Sequence, residues 1–197
     1  MKRSSAERRL LVVSNDLAYV IRFRLHLLRA FADLGYVPYV AAPPGAGEDH
    51  LALTEAGVRF EPWVVSRTGR KLAQELGALG RLFAIMGRVR PDVVFTYTIK
   101  SVVYGLAAAA AGRVPRRAAM ITGLGYTLMP GQGFRRSVTR IVAQIAYKLA
   151  LATAHVVIFQ NRDDLAYFRE RALISRRSRV GLVNGSGVDL QEFQQVP

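Results

Sequence analysis

Residues 91–111 read PDVVFTYTIKSVVYGLAAAAA. Val93 to Tyr97 is a short apolar run of β-branched and aromatic residues, the composition of a buried strand. Ser101 to Ala111 has the small and apolar composition of a helix, and Leu106 to Ala111 predicts close packing of that helix on a sheet. Upstream, Arg90-Pro91-Asp92 stops a helix and launches the strand, because proline disfavours helical backbone in the residue before it. The stretch is therefore a strand–turn–helix unit.

The unit repeats in both directions. Strands are expected at Leu10–Ser14, Val37–Ala42, Val58–Val65, Val93–Tyr97, Ala118–Thr122, Val156–Gln160 and Val180–Val183. Helices are expected at Ala18–Leu34, Glu48–Glu55, Lys71–Val89, Ser101–Ala111, Arg135–Ala152 and Asp163–Arg171. Asn15-Asp16 and Asn161 offer short polar side chains to cap the helices that follow, and Gly35 closes the first helix. Strands separated by helices long enough to cross over predict an α/β, Rossmann-like doubly wound fold. Its mainly parallel sheet has about seven strands, with helices on both faces. With 197 residues the chain is expected to be one domain spanning 1–197, without internal repeats.

Hydrophobic residues make up 51% and charged residues 21%, the balance of a folding chain. There is no cysteine, which excludes disulfides, thiolate metal sites and thiol nucleophiles. The apolar stretch Leu10 to Val13 is too short for a signal peptide. Ile141 to Phe159 is long and apolar, but Gln144, Lys148 and His155 interrupt it and it reads as a helix followed by a strand. A cytoplasmic chain is expected. Twenty-eight Lys and Arg against fourteen Asp and Glu give a net charge of +14, which favours an anionic partner: nucleic acid, anionic lipid or a diphosphate. The basic residues are scattered and no nucleic-acid-binding motif accompanies them, so no nucleic-acid partner is expected.

In such sheets ligands bind beyond the carboxyl ends of the strands. The residues there are Ser14 and Asn15, Thr96 and Thr98, Thr122-Gly123-Leu124-Gly125-Tyr126, Gln160 and Asn161, and Asn184-Gly185-Ser186-Gly187. Gly123 and Gly125 would let backbone N–H groups approach a ligand oxygen, with Tyr126 offering a flat face and a hydroxyl; a tight turn before Pro130 is the alternative. Lys100 opens a helix after a strand, where a cation and free N–H groups converge on phosphate, although a solvated lysine fits too. Arg24 would reach the same edge from the first helix, or be a surface arginine. The glycines lack dinucleotide-binding spacing and the first strand-to-helix turn has none, so no nicotinamide or flavin cofactor is expected. His26, His50 and His155 are too far apart in sequence to form a metal constellation, and no metal is expected. Asp163-Asp164 is a carboxylate pair in a helix first turn, where helix capping explains it. Asn184-Gly185-Ser186 matches a glycosylation sequon without further support.

Taken in order, TYTIK, ITGLGY, FQNRDD and GSGVDLQEF, together with Phe23-Arg24, Arg67 with Gly69, and Pro91-Asp92-Val93-Val94, resemble the family-4 glycosyltransferases of GT-B fold. The resemblance is to the amino-terminal domain, in the branch that builds capsule, O-antigen and lipid-linked oligosaccharides, and it runs along essentially the whole chain. It implies one half of a GT-B fold, the acceptor side, with Asn184, Gly185, Ser186, Gly187, Val188 and Asp189 facing an interdomain cleft. Residues 184–197 would begin the linker to an absent donor-binding domain. The implied reaction is retaining transfer from a nucleotide sugar, often UDP-linked, to a lipid-diphosphate-linked or glycan acceptor, without a metal. The resemblance assigns no catalytic residue here: where many relatives carry a histidine near the fifth strand's end, this chain has Thr122-Gly123. The branch also commonly has Asn-Pro where Arg70-Lys71 stands, and proline where Ser101 stands. An undecaprenyl-diphosphate-linked acceptor would place the basic chain peripherally on the inner face of the cytoplasmic membrane. The alternative is a stand-alone acceptor-binding or membrane-recruiting module that pairs with a separately encoded donor-binding subunit.

Overall fold

A computed structural model describes residues 7–65, 72–129 and 133–187. The order is β1 (Arg8–Val13), α1 (Leu17–Asp33), β2 (Tyr36–Ala42), α2 (Gly47–Glu55), β3 (Arg59–Pro62), α3 (Leu72–Val89) and β4 (Val93–Tyr97). There follow α4 (Ile99–Ala111), β5 (Arg116–Ile121), α5 (Gly125–Leu128), α6 (Phe134–Leu151), β6 (Val156–Phe159), α7 (Arg162–Glu170) and β7 (Arg179–Leu182). All seven strands form one parallel sheet in the order β3-β2-β1-β4-β5-β6-β7. The doubly wound expectation holds, and the winding reverses between β1 and β4.

Hydrophobic alternation along the strands divides the core between the two faces. Leu10, Val12, Val40, Phe95 and Tyr97 pack under α1 and α2. Leu11, Val13, Ala41 and Val94 pack under α3 and α4, while Ala119, Ile121, Val157 and Phe159 meet α4, α6 and α7. The alanine-rich part of α4 lies close on the sheet as expected, with Ala108 and Ala109 buried. Gly105 permits this approach: a Cβ there would lie 2.5 Å from Thr96 Cγ2.

The helix ends follow their sequence signals. Asp16 Oδ1 accepts from Tyr19 N at 3.1 Å to cap α1, and Gly35 leaves that helix with φ +79°. Asn161 Oδ1 accepts from Asp164 N at 2.7 Å while Asn161 Nδ2 donates to Asp164 Oδ2 at 2.8 Å, so the Asp163-Asp164 pair opens α7 as read.

Several elements differ from expectation, α4 among them, which starts at Ile99 rather than Ser101. β1 and β5 each start two residues earlier, because Arg8 stacks on the Tyr36 ring and donates to Leu34 O, and Arg117 donates to Thr153 O and Val114 O; these cations lie along the sheet margin. β3 is four residues rather than eight, since the chain leaves the ladder at Trp63, whose indole is buried and donates to Ala78 O. α5 replaces a plain turn after Gly123, anchored by fully buried Leu128. Lys71, expected to open α3, lies outside the described residues, as do Arg67, Gly69 and Arg70.

Candidate functional site

Parallel strands bring all their carboxyl ends to one edge, and the reversal between β1 and β4 opens a crevice there. Its centre is tied across that gap. Thr98 Oγ1 donates to Asn15 Oδ1 at 3.0 Å and lies 3.2 Å from Ser101 Oγ. Thr98 has φ +69°, which costs a β-branched residue on the order of 1–3 kcal/mol. Ser14 is fully buried behind this pair, its hydroxyl donating to Asp16 O and accepting from Asp16 N.

On the α1 side the floor is Arg24. It is 3% exposed, and one guanidinium nitrogen contacts Met120 Sδ at 3.3 Å while the other reaches Phe23 O at 3.4 Å. The guanidinium lies 5.1 Å from the Tyr97 ring centroid, and its Nε has no hydrogen-bond partner among the described residues. No carboxylate pairs with it among the described residues. Burial pushes the Tyr97 phenol above its ordinary range, so that hydroxyl stays neutral and supplies no counter-charge. Gln160 Nε2 continues the line, 3.6 Å from Met120 Sδ and 3.0 Å from Ser186 Oγ. Arg24, Met120, Gln160 and Ser186 thus run in contact from helix α1 to the loop after β7.

On the α3 and α4 side stands Lys100. Its Nζ lies 2.9 Å from Glu75 Oε1, and Tyr104 Oη donates to the other carboxylate oxygen. Burial raises the Glu75 pKa, but the hydrogen bonds from Tyr104 and Lys100 and the lysine's charge outweigh it and hold the carboxyl below its usual range. Burial and the Glu75 charge push the Tyr104 phenol up. No sequence signal joined Glu75 to Lys100 and Tyr104, since 25 and 29 residues separate the partners.

The remaining expected residues divide. Thr122, Gly123 and Leu124 form the partly exposed loop after β5, and Gly125 starts α5 with φ +61°, a value that favours glycine. Gly185 and Gly187 turn the loop after β7 with φ +79° and +71°, and Asn184 is exposed beside them. Thr96 does not face the crevice: it is fully buried, its methyl against Gly105 and its hydroxyl 3.3 Å from Ala118 O. The Asn161 side chain is occupied by its cap. Arg24 and Lys100 occupy opposite faces of the sheet instead of converging on one point. The Tyr126 side chain, Val188 and Asp189 lie outside the described residues. No cluster of three or more metal-ligating His, Asp or Glu occurs among the described residues.

The sequence profile of the glycosyl transferase 4-like domain matches residues 20–184. A curated relative, the N,N'-diacetylbacillosaminyl-diphospho-undecaprenol alpha-1,3-N-acetylgalactosaminyltransferase of Campylobacter jejuni, is 25% identical over 176 residues, covering 89% of this chain and 46% of the relative. Among solved structures, a glycosyltransferase from Rickettsia africae superposes with a TM-score of 0.65 at 14% identity, over 97% of this chain and 47% of its own. Anabaena HepE, solved with UDP and glucose, gives 0.63 at 14% identity over 97% and 48%. This chain spans about half the length of each, and the structural likenesses show a shared fold. The matched profile, with the strand order and the crevice at its reversal point, shows that the chain belongs to the glycosyl transferase 4-like domain family.

Proposed function

We propose that the chain is the acceptor-side domain of a retaining glycosyltransferase, which moves a sugar from a UDP-linked nucleotide sugar held by a donor-binding domain onto a lipid-diphosphate-linked acceptor. The observation that carries this reading is the Arg24 guanidinium, buried at the crevice floor with no carboxylate partner among the described residues. A buried cation without a counter-ion is costly, and an acceptor phosphate supplies the missing charge. The Campylobacter relative is named for an acceptor of this chemistry, a sugar joined through diphosphate to undecaprenol.

In this reading Arg24 holds the acceptor diphosphate, and the loop 122–125 with Gln160 and Asn15 lines the acceptor sugar. The Asn184–Gly187 loop faces the donor domain. Lys100 is held by Glu75 and shapes the opposite wall. No residue of this domain is assigned as nucleophile or base; its part is to fix the acceptor hydroxyl, and a near-attack orientation alone contributes several kcal/mol. The same charge excess supports a peripheral position at an anionic membrane surface, where a lipid acceptor would reside.

Binding of a water-soluble short-chain prenyl-diphosphate sugar tests the acceptor reading without a bilayer. The diphosphate compound should bind, and the same sugar on a neutral linker at least about 100-fold more weakly, as expected when a buried cation loses its anion. Equal binding of the two would contradict the reading.

A further inference from the structure

Helix α6 is apolar on two opposite faces. Ala143, Tyr147, Ala150 and Leu151 form the stripe buried against the core. At about 100° per residue, Phe134, Val138, Ile141, Val142, Ile145 and Leu149 form a second stripe on the far side. All six are exposed, Phe134 by 84% and Leu149 by 68%. Single exposed apolar residues are ordinary, but this stripe is continuous over the helix, about 23 Å.

The charges around the stripe select what covers it. Residues 134–151 contain no acid, while Arg135 and Lys148 are exposed and border the two edges of the stripe; Arg136 and Arg140 are half-buried on the core side of the helix. A second copy docked through this face would set like charges against each other. An anionic lipid surface instead accepts the apolar side chains among its acyl chains and the cations among its phosphates. The helix is fixed flat by its buried stripe, and no helix among the described residues is long and apolar enough to cross a membrane. It also packs against α5, so its amino end adjoins the loop after β5 at the crevice.

We infer that the exposed face of α6 is the surface by which the protein lies on an anionic membrane, inserting Phe134, Ile141, Ile145 and Leu149 and seating Arg135 and Lys148 at the phosphates. This deepens the peripheral-membrane part of the proposed function by naming the face, and it explains how the crevice meets a lipid-linked substrate.

Because the sequence has no cysteine, Ile145→Cys places one environment-sensitive fluorophore on this face and Leu51→Cys, exposed on α2, places a control on the opposite side. Vesicles of phosphatidylcholine with phosphatidylglycerol, free of any acceptor, are added at near-physiological salt. The account expects a blue shift at position 145 and none at 51. It also expects flotation to fall at least about ten-fold in the triple variant Ile141→Gln, Ile145→Gln, Leu149→Gln, with unchanged thermal unfolding. Flotation of the triple variant equal to wild type, or no shift at 145, would overturn the α6 assignment while leaving charge-driven association standing. Absence of any vesicle binding would overturn both, and leaves the bilayer-free acceptor test untouched. A dimer in sedimentation that the triple variant dissociates would assign the face to a second copy and overturn the inference.

Discussion

Two cations stand at the carboxyl edge of this sheet, on opposite faces, and their surroundings differ. Lys100 meets a carboxylate that also accepts from Tyr104, so its charge is balanced within the fold. Arg24 is more deeply buried and meets, among the described residues, a sulfur, a peptide oxygen and an aromatic face. A balanced pair contributes to stability; an unbalanced buried charge costs stability and gains its value when a ligand anion arrives. On the proposed function, the difference separates a wall of the crevice from its binding floor.

Arg24→Met breaks the comparison at its most sensitive point. It keeps much of the side-chain volume and removes the charge, so acceptor-dependent transfer by the complete enzyme should fall at least about 100-fold, close to 3 kcal/mol. Thermal unfolding should stay level or rise, as replacing unneutralised buried charge with apolar volume is neutral to stabilising. Gly105→Ala tests the wall by geometry. Its methyl would need the space of Thr96 Cγ2, so α4 must shift at a cost of about 1–3 kcal/mol, read in denaturant unfolding, and Lys100 shifts with it.

Glu75→Gln tests the wall by charge. It should cost about 1 kcal/mol at neutral pH, since Glu75 is buried but Lys100 keeps part of its surface in water. The sign with pH follows from the depressed carboxyl: its contribution is complete above the unfolded value of about 4.3 and is lost as pH falls through the lower folded value. Wild type should therefore show a loss of stability in that acidic window that Glu75→Gln lacks, measured as unfolding midpoint against pH. The smallest effect is expected from Leu149→Gln, on the exposed face of α6, within about 0.5 kcal/mol of wild type in unfolding.

The strand–turn–helix rhythm was legible because every strand is a short apolar run and helix starts carry their own caps at Asp16 and Asn161. α5 was hidden, since Gly125 begins it, Pro130 follows soon after and its four residues hold too little pattern to outweigh them. The crevice residues were found by position, at the carboxyl ends of strands, which is why Thr96 was included although its side chain turns into the core. Position along a chain does not say which of two neighbouring strand residues faces inward. The Glu75–Lys100–Tyr104 group and the unpaired state of Arg24 depend on long-range packing. Arg24 follows Arg22 in a helix with polar residues on its outer side, and only the fold shows that it points at Tyr97. The unusual backbone of Thr98 is likewise set by the Asn15 and Ser101 contacts that hold it, with no glycine to announce it.

The most direct measurement is titration calorimetry of a short-chain prenyl-diphosphate sugar into wild-type protein and Arg24→Met, with the thermal midpoint of each. The account predicts binding by wild type, loss of at least about 100-fold in affinity for Arg24→Met, and a midpoint for the variant equal to or above wild type. Undiminished binding by Arg24→Met, or a variant that unfolds well below wild type, would show that the guanidinium serves the fold and contradict the account.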